Sequence, residues 1–194
     1  MGKLIEVVGP SGVGKTTLVD TLSRKARFAT AYEGHAERPF QKLFKQDQRY
    51  GLANQMYYLL LRAEQEKELR ASSLIRLMDG GLDLDYHGFT RLFHARGWLS
   101  DSEFDLCRRF YELTRQLLPL PDLIIHLTAS EEIIRSRLAS RQRINIASAE
   151  DTALFNQFLD EWLGTIPAEH LLRFDVSNED LEFTQSLPEI LAQL

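Results

Sequence analysis

The chain has 194 residues, of which 44% are hydrophobic and 26% are charged, a composition typical of a globular protein with one sizeable core. Its formal net charge of -5, without a basic tract, argues against nucleic acid as a partner. The single cysteine, Cys107, excludes an intrachain disulfide and a four-thiolate zinc site. There is no signal-peptide pattern and no apolar run long enough to span a membrane, so we expect a cytoplasmic protein.

Short apolar runs alternate with long helical patterns, which indicates an α/β fold. We therefore predict one domain over residues 1–194, built on a five-stranded parallel sheet flanked by helices. The predicted strands are Leu4–Val8, Phe28–Glu33, Leu74–Asp79, Leu123–Thr128 and Leu171–Val176. The predicted helices are Lys15–Arg27, Gly51–Ala71, Ser102–Leu118, Glu131–Arg141, Ala149–Leu163 and Leu181–Leu194.

The most specific motif is a P-loop between the first strand and the first helix, with the sequence Gly-Pro-Ser-Gly-Val-Gly-Lys-Thr-Thr. Its backbone N–H groups and the helix N-terminus can bind phosphate oxygens. We expect Lys15 to reach the β- and γ-phosphates of ATP and the hydroxyl of Thr16 to ligate Mg²⁺. The predicted nucleotide-binding residues of this loop are Gly9, Ser11, Gly12, Val13, Gly14, Lys15, Thr16 and Thr17.

Arginines cluster after the fourth predicted strand. Arg137 and Arg141 lie four residues apart on one helix face, and Arg143 follows where the helix gives way to a loop. In a chain with a P-loop, this pattern predicts an arginine-rich lid over approximately residues 137–148 that closes on the γ-phosphate. We assign catalysis to Arg137 and Arg141, and donor binding to Arg141 and Arg143. A solvated basic helix face is the alternative.

Two acidic residues end predicted strands at the carboxyl edge of the sheet, where open α/β folds place their sites. Glu33 is the candidate general base for an acceptor hydroxyl. Asp79 is a candidate either for Mg²⁺, directly or through water, or for contact with the acceptor. Asp83 and Asp85 follow it, and two interpretations are open. They join a metal site, or, as we expect, they are surface acids at a helix start, where the helix dipole favours them.

The order and spacing of these segments resemble the deoxynucleoside kinase family, in particular its bacterial members. The resemblance runs from the P-loop to about Leu163 and includes Tyr32-Glu33 and the segment Leu43–Gln55. It implies that Glu33 accepts the proton of a 5′-hydroxyl and that Gln55 reads a base edge. It also implies a nucleoside-like acceptor and a homodimer that pairs the helices Gly51–Ala71 and Ser102–Leu118. The predicted acceptor-binding residues are Glu33, Arg38, Phe44, Gln55, Tyr58 and Asp79.

The chain departs from the family pattern at three places. Gly80 stands where the family has an arginine that helps to place the reacting groups, and Phe44 stands where many members have a tyrosine that contacts the sugar. The sequence Ile-Asn-Ile-Ala follows Arg143, where the family usually supplies a glutamate. The candidates for replacing the lost arginine are Arg38, Arg91 and Arg96.

The sequence therefore predicts an ATP-dependent phosphotransferase that acts on the 5′-hydroxyl of a nucleoside or deoxynucleoside. One alternative is a P-loop kinase for a nucleoside monophosphate or another small hydroxyl compound. A second alternative is a nucleotide-binding protein with degraded catalysis, which the glycine at position 80 keeps open.

Overall fold

The computed structural model of the chain describes residues 2–34, 38–139 and 149–194. Its centre is a sheet of five strands in the order β2-β3-β1-β4-β5, in which every neighbouring pair is parallel. The strands are β1 (Leu4–Val8), β2 (Phe28–Ala31), β3 (Ile75–Asp79), β4 (Leu123–Thr128) and β5 (Leu171–Asp175). The predicted five-stranded parallel sheet is therefore confirmed.

Helices surround the sheet, and three irregular helical segments join them. The α-helices are α1 (Lys15–Lys25), α2 (Pro39–Gln46), α3 (Gly51–Arg70), α4 (Leu82–Leu84), α5 (Arg91–Ala95), α6 (Asp101–Leu117), α7 (Glu131–Ala139), α8 (Ala149–Leu163) and α9 (Leu187–Gln193). A π-helical segment, Asp85–Thr90, joins α4 to α5, and short 3₁₀ turns lie at Gln48–Tyr50 and Ala168–His170. Within the described ranges, no helix combines the length and the apolar character that a membrane span requires.

Apolar side chains pack on both faces of the sheet, as expected for a parallel sheet covered by helices. One cluster joins the sheet to α1 and α9 and includes Val7, Leu18 and Ile190. A second cluster joins the other face to α8 and includes Val8 and Leu159. A third lies among α2, α3 and α6 and contains Cys107, which is fully buried. Burial raises the pKa of the Cys107 thiol to about 11.

The predicted helix Leu181–Leu194 is wrong in its first half. The helix begins at Leu187, directly before Pro188, because proline fits the first turn of a helix but breaks its interior. The segment before it is a turn in which the Asp180 carboxylate accepts hydrogen bonds from the backbone N–H groups of Glu182 and Thr184. Two further helical segments, α2 and the run from α4 to α5, were not predicted, and β2 ends two residues earlier than predicted.

Buried charges join β1, α3, α4 and α6 below the carboxyl edge of the sheet. Arg115 of α6 donates to both oxygens of Asp83, at 3.0 and 2.8 Å, and to both oxygens of Glu66, at 3.0 and 2.9 Å. Glu6 of β1 is fully buried beside them, and burial, followed by the charge of Asp83, raises its pKa well above the ordinary value. Gly81 leaves room for this carboxyl, since a Cβ at position 81 would lie 2.5 Å from its carbon. The expectation that Asp83 is a surface acid is therefore wrong.

We predict that Arg115→Met lowers the free energy of unfolding by roughly 3–5 kcal/mol, because it leaves buried carboxylates without their shared cation. The matched control is Arg108→Met on the same helix, where the arginine pairs with Asp105 and Glu112 at the surface. That change should cost less than about 1 kcal/mol. Urea unfolding measures both variants, and equal losses would contradict the role assigned to Arg115.

Candidate active site

The P-loop joins β1 to α1 and depends on glycine for its backbone shape. Gly9, Gly12 and Gly14 have φ angles of 144°, 86° and 118°, a region that other residues rarely adopt. Gly9 also passes close to β4, because a Cβ there would lie 2.4 Å from the carbonyl oxygen of Leu127. These dihedrals give the loop a turn that ends at the N-terminus of α1, as the motif predicted.

The ammonium group of Lys15 is held inside this loop. The residue is only 7% exposed, and its Nζ donates to the carbonyl oxygens of Gly9 at 3.0 Å and Pro10 at 3.2 Å. These neutral carbonyls fix the position of the cation without neutralising it. The charge is therefore available to a phosphate group bound at the loop.

Oxygen atoms suited to a divalent cation meet where α1 begins and β3 ends. The hydroxyl of Thr16 donates to Oδ2 of Asp79 at 2.6 Å, and Asp79 is 1% exposed. Its other oxygen, Oδ1, is buried and has no hydrogen-bond partner among the described residues. Hydroxyl and carboxylate oxygens are the ligands that Mg²⁺ prefers, so the pair fits this ion. The described residues contain no group of three or more His, Cys, Asp or Glu side chains that could hold a metal ion.

Arg137 lies against the P-loop. Its guanidinium donates to the carbonyl oxygen of Val13 at 2.7 Å and to that of Val176 at 3.1 Å. It therefore links the P-loop to the segment after β5, close to where a phosphate would bind. The other two predicted lid arginines, Arg141 and Arg143, and most of the predicted lid lie outside the described residues.

The acceptor side of the candidate site lies around Glu33, just beyond the end of β2. The Glu33 side chain is 46% exposed, and its Oε2 lies 3.9 Å from a terminal nitrogen of Arg62. Arg38 donates to the backbone oxygen of Glu33 at 3.0 Å. Glu33, the predicted base, and Arg38, a predicted acceptor residue, therefore lie in contact. The arginine beside the carboxylate is Arg62, which was not predicted as a site residue.

Arg62 is almost completely buried, and its contacts join three parts of the chain. Its Nε donates to Asp85 at 2.8 Å, and a terminal nitrogen donates to Gln65 at 3.1 Å. Gln65 in turn donates to the backbone oxygen of Tyr32, next to Glu33. Burial alone would lower the pKa of Arg62, but the charges of Asp85 and Glu33 raise it above its ordinary value, so the guanidinium stays charged.

Asp85 is also buried, which corrects the expectation that it is a surface acid. It is 4% exposed at the start of the π-helical segment and pairs with Arg62. Burial raises its pKa above the ordinary value, although the positive charge of Arg62 acts in the opposite direction. Arg62 and Asp85 therefore form a buried ion pair at the acceptor side, not a solvated contact at the surface.

Gln55 and Tyr58 lie three residues apart on α3. The hydroxyl of Thr90 donates to Oε1 of Gln55 at 3.1 Å and so fixes the orientation of its amide. Burial, followed by the negative charges of Glu33 and Asp85, raises the pKa of the Tyr58 hydroxyl. Both residues are among the predicted acceptor-binding residues, and that role stays a prediction.

The structure gives Phe44 a packing role. Its ring stacks on Phe93 at 4.7 Å between centroids and meets Trp98 edge-on at 5.3 Å. The two other arginines considered as replacements at position 80 are also engaged elsewhere. Arg91 pairs with Glu161, and Arg96 pairs with Asp151, both on α8.

Two residues of this site, Arg62 and Thr90, were not predicted from the sequence. Arg62 lies four residues after Tyr58 on the same helix face, and this spacing was the available signal. Thr90 reaches Gln55 only because the π-helical segment brings it there, and the sequence pattern did not predict that segment.

Gly80 offers a test of how tightly Arg62 is held. Its φ is 68°, and a Cβ there would lie 3.2 Å from both Arg62 and Leu84. We predict that Gly80→Ala costs at least about 1 kcal/mol more unfolding free energy than Gly97→Ala, because Arg62 is pinned and cannot yield. Gly97 is the matched control, since its φ is 71° and its added Cβ would meet nothing within 4 Å. Equal losses in urea unfolding would show that the guanidinium moves freely.

The sequence model of the deoxynucleoside kinase family matches residues 5–193 of the chain. A deoxyguanosine kinase of Bacillus subtilis (strain 168) is 30% identical over 141 residues, which cover 72% of this chain and 67% of the relative. A deoxyadenosine/deoxycytidine kinase of the same organism is 27% identical over 143 residues, which cover 72% of this chain and 66% of the relative.

The match to a deoxyadenosine kinase of Dictyostelium discoideum covers only 58% of that protein, so the chain spans about two thirds or less of several relatives. A solved structure of deoxyadenosine kinase from M. mycoides with bound dATP superposes with a TM-score of 0.80 at 21% identity. That superposition covers 97% of this chain and 99% of the other, and it supports the fold. With the family match extending over nearly the whole sequence, this chain belongs to the deoxynucleoside kinase family.

Proposed function

We propose that this chain transfers the γ-phosphoryl group of ATP to the 5′-hydroxyl of a deoxynucleoside, with Mg²⁺ as the cofactor. The observation that carries the proposal is the juxtaposition at one sheet edge of a complete P-loop and the buried pair Arg62–Asp85 beside Glu33. The names of the relatives, which are kinases for deoxyadenosine, deoxycytidine and deoxyguanosine, support the acceptor class.

The donor half of the reaction follows from the P-loop. Its N–H groups and the N-terminus of α1 bind the phosphate oxygens, and Lys15 supplies a positive charge where the γ-phosphate gains negative charge. Arg137 adds a second cation beside Val13. When bound, Mg²⁺ would be held by Thr16 and Asp79 and would neutralise charge on the β- and γ-phosphate oxygens.

The acceptor half depends on Glu33 and Arg62. The 5′-oxygen of the acceptor forms a bond to the γ-phosphorus while the bond from that phosphorus to the β,γ-bridging oxygen breaks. Glu33 accepts the proton of the hydroxyl, and ADP leaves with the bridging oxygen. This carboxylate is within 3.9 Å of Arg62, which holds it near the reacting atoms and adds positive charge beside the transferred group.

Arg62 also accounts for the glycine at position 80. A side chain at that position would meet the Arg62 guanidinium, so the space beside β3 is already occupied by a cation from α3. The loss of the arginine expected there therefore does not remove positive charge from the acceptor side. This placement favours an active kinase over the alternative of degraded catalysis.

We predict that Lys15→Met and Glu33→Gln each reduce turnover by roughly 100-fold or more, because one removes a cation from the phosphate site and the other removes the proton acceptor. ADP release from Mg-ATP with a panel of deoxynucleosides, nucleosides and nucleoside monophosphates measures the effect. Glu33→Gln should spare ATP binding, whereas Lys15→Met should weaken it. Nearly full turnover in Glu33→Gln would contradict the role of the base, and activity on monophosphates alone would favour the other acceptor class.

We also propose that the protein is a homodimer formed through α3 and α6, which pack side by side. Large leucine side chains are exposed on these helices, which is unusual for a surface that faces only water. Leu106, Leu113 and Leu117 follow one another along α6 and are 44%, 57% and 74% exposed, and Leu60 of α3 is 48% exposed. A second copy of the chain would bury this apolar surface.

Light scattering should therefore give the mass of two chains, and Leu113→Glu should shift it to the mass of one, because the new carboxylate would lie inside the interface. Leu181→Glu is the control, since Leu181 is 78% exposed and lies in the turn before α9. A single-chain mass for the unsubstituted protein at working concentration would exclude the dimer.

A further inference from the structure

Glu33, the proposed proton acceptor, lies on a stretch of backbone that extends past the sheet. The pairing of β2 with β3 ends where Ala31 lies opposite Met78, and Glu33 follows two residues later. Its Oε2 lies 3.9 Å from a terminal nitrogen of Arg62, which is too long for a hydrogen bond. The position of the carboxylate therefore depends on the contacts that hold the backbone leading to it.

Gln65 of α3 supplies one such contact. Its Nε2 donates a hydrogen bond of 2.9 Å to the backbone oxygen of Tyr32. That oxygen belongs to the peptide unit that joins Tyr32 to Glu33, and a peptide unit is planar. A hydrogen bond that fixes the oxygen therefore also fixes the plane in which the Cα of Glu33 lies.

The other end of the same amide is bonded to Arg62. Oε1 of Gln65 accepts a hydrogen bond of 3.1 Å from one terminal nitrogen of Arg62, whose Nε donates to Asp85 at 2.8 Å. These two bonds orient the guanidinium, and its other terminal nitrogen is the one that lies nearest Glu33. Because an amide carries its acceptor and its donor on one planar group, Gln65 links the cation to the backbone of the base.

Tyr32 is also anchored through its side chain. Its ring packs against the apolar cluster that includes Leu18 of α1, the helix that follows the P-loop. Burial, followed by a hydrogen bond to Asp20 of the same helix, raises the pKa of the Tyr32 hydroxyl. The peptide that leads to Glu33 is therefore tied to α1 through the ring and to α3 through Gln65.

We propose that Gln65 is a positioning residue that places the Glu33 carboxylate for proton transfer by holding the Tyr32 carbonyl and the Arg62 guanidinium together. The inference rests on the proposed function, because it affects the reaction only if Glu33 is the proton acceptor. Gln65 itself takes no part in the transfer. Its loss lets the carboxylate move away from the reacting oxygen, and a displacement of about 1 Å is enough to slow a reaction by roughly 100-fold.

Two substitutions separate the two hydrogen bonds of this amide. Gln65→Met keeps the length of the side chain and removes both bonds. Gln65→Glu keeps an acceptor for Arg62 but places a carboxylate oxygen where the donor to Tyr32 was. The matched control is Gln185→Met in the turn before α9, since Gln185 also donates from Nε2 to a backbone oxygen, that of Asn178 at 3.0 Å.

We expect both substitutions at Gln65 to lower kcat with the best deoxynucleoside by about 10-fold or more, while KM for ATP stays unchanged. Each substitution is then repeated in the Glu33→Gln variant, which has no carboxylate to position. There the further loss should be less than about 2-fold, because the effects of two residues that act through one group are not additive. Gln185→Met should leave kcat within about 2-fold in both backgrounds.

Nearly full kcat in a folded Gln65→Met variant would overturn the inference while leaving the kinase intact. An equal fold-loss in both backgrounds would also overturn it, because Gln65 would then act on the fold and not through Glu33. Full kcat in Gln65→Glu with loss in Gln65→Met would assign the effect to Arg62 and overturn the role of the Tyr32 carbonyl.

Urea unfolding shows whether each variant is folded. If Gln65→Met does not fold, Gln65→Glu completes the same comparison, since it preserves the size of the side chain, and nearly full kcat in that variant would overturn the inference. Absence of turnover on every nucleoside by the unsubstituted protein would overturn the proposed function itself, and the inference with it.

Discussion

The buried guanidinium of Arg62 is the contact on which the acceptor side depends. It pairs with Asp85, holds Gln65 and lies 3.9 Å from Glu33, so it connects α3, the π-helical segment and the chain after β2. A charge buried to this degree is stable only when its partners are fixed around it. The same contact that stabilises the fold therefore sets the position of the candidate base.

The donor and acceptor sides meet because all five strands are parallel. Their carboxyl ends lie at one edge of the sheet, so the P-loop after β1, Glu33 after β2 and Asp79 at the end of β3 converge there. The two sides balance charge in different ways. Lys15 donates to the neutral carbonyls of Gly9 and Pro10 and remains available to phosphate, whereas Arg62 is committed to carboxylates and acts by position.

Local patterns were enough to predict the sheet and the P-loop, because each depends on neighbouring residues. They were not enough for Asp83 and Asp85, since the dipole argument for a helix start cannot show that Arg115 and Arg62 approach from other helices. They were also not enough to predict that the Phe44 ring stacks on Phe93. The role of Arg62 required knowing which face of α3 meets the site.

The central claim is that this chain moves a phosphoryl group from ATP to a nucleoside hydroxyl. The most direct measurement follows the label of γ-³²P-ATP in the presence of Mg²⁺ and each of the four common deoxynucleosides, with separation of the products. We expect the label to appear in a deoxynucleoside 5′-monophosphate, and we expect Lys15→Met to abolish this transfer. Label released only as inorganic phosphate, or retained in ATP with all four acceptors, would contradict it.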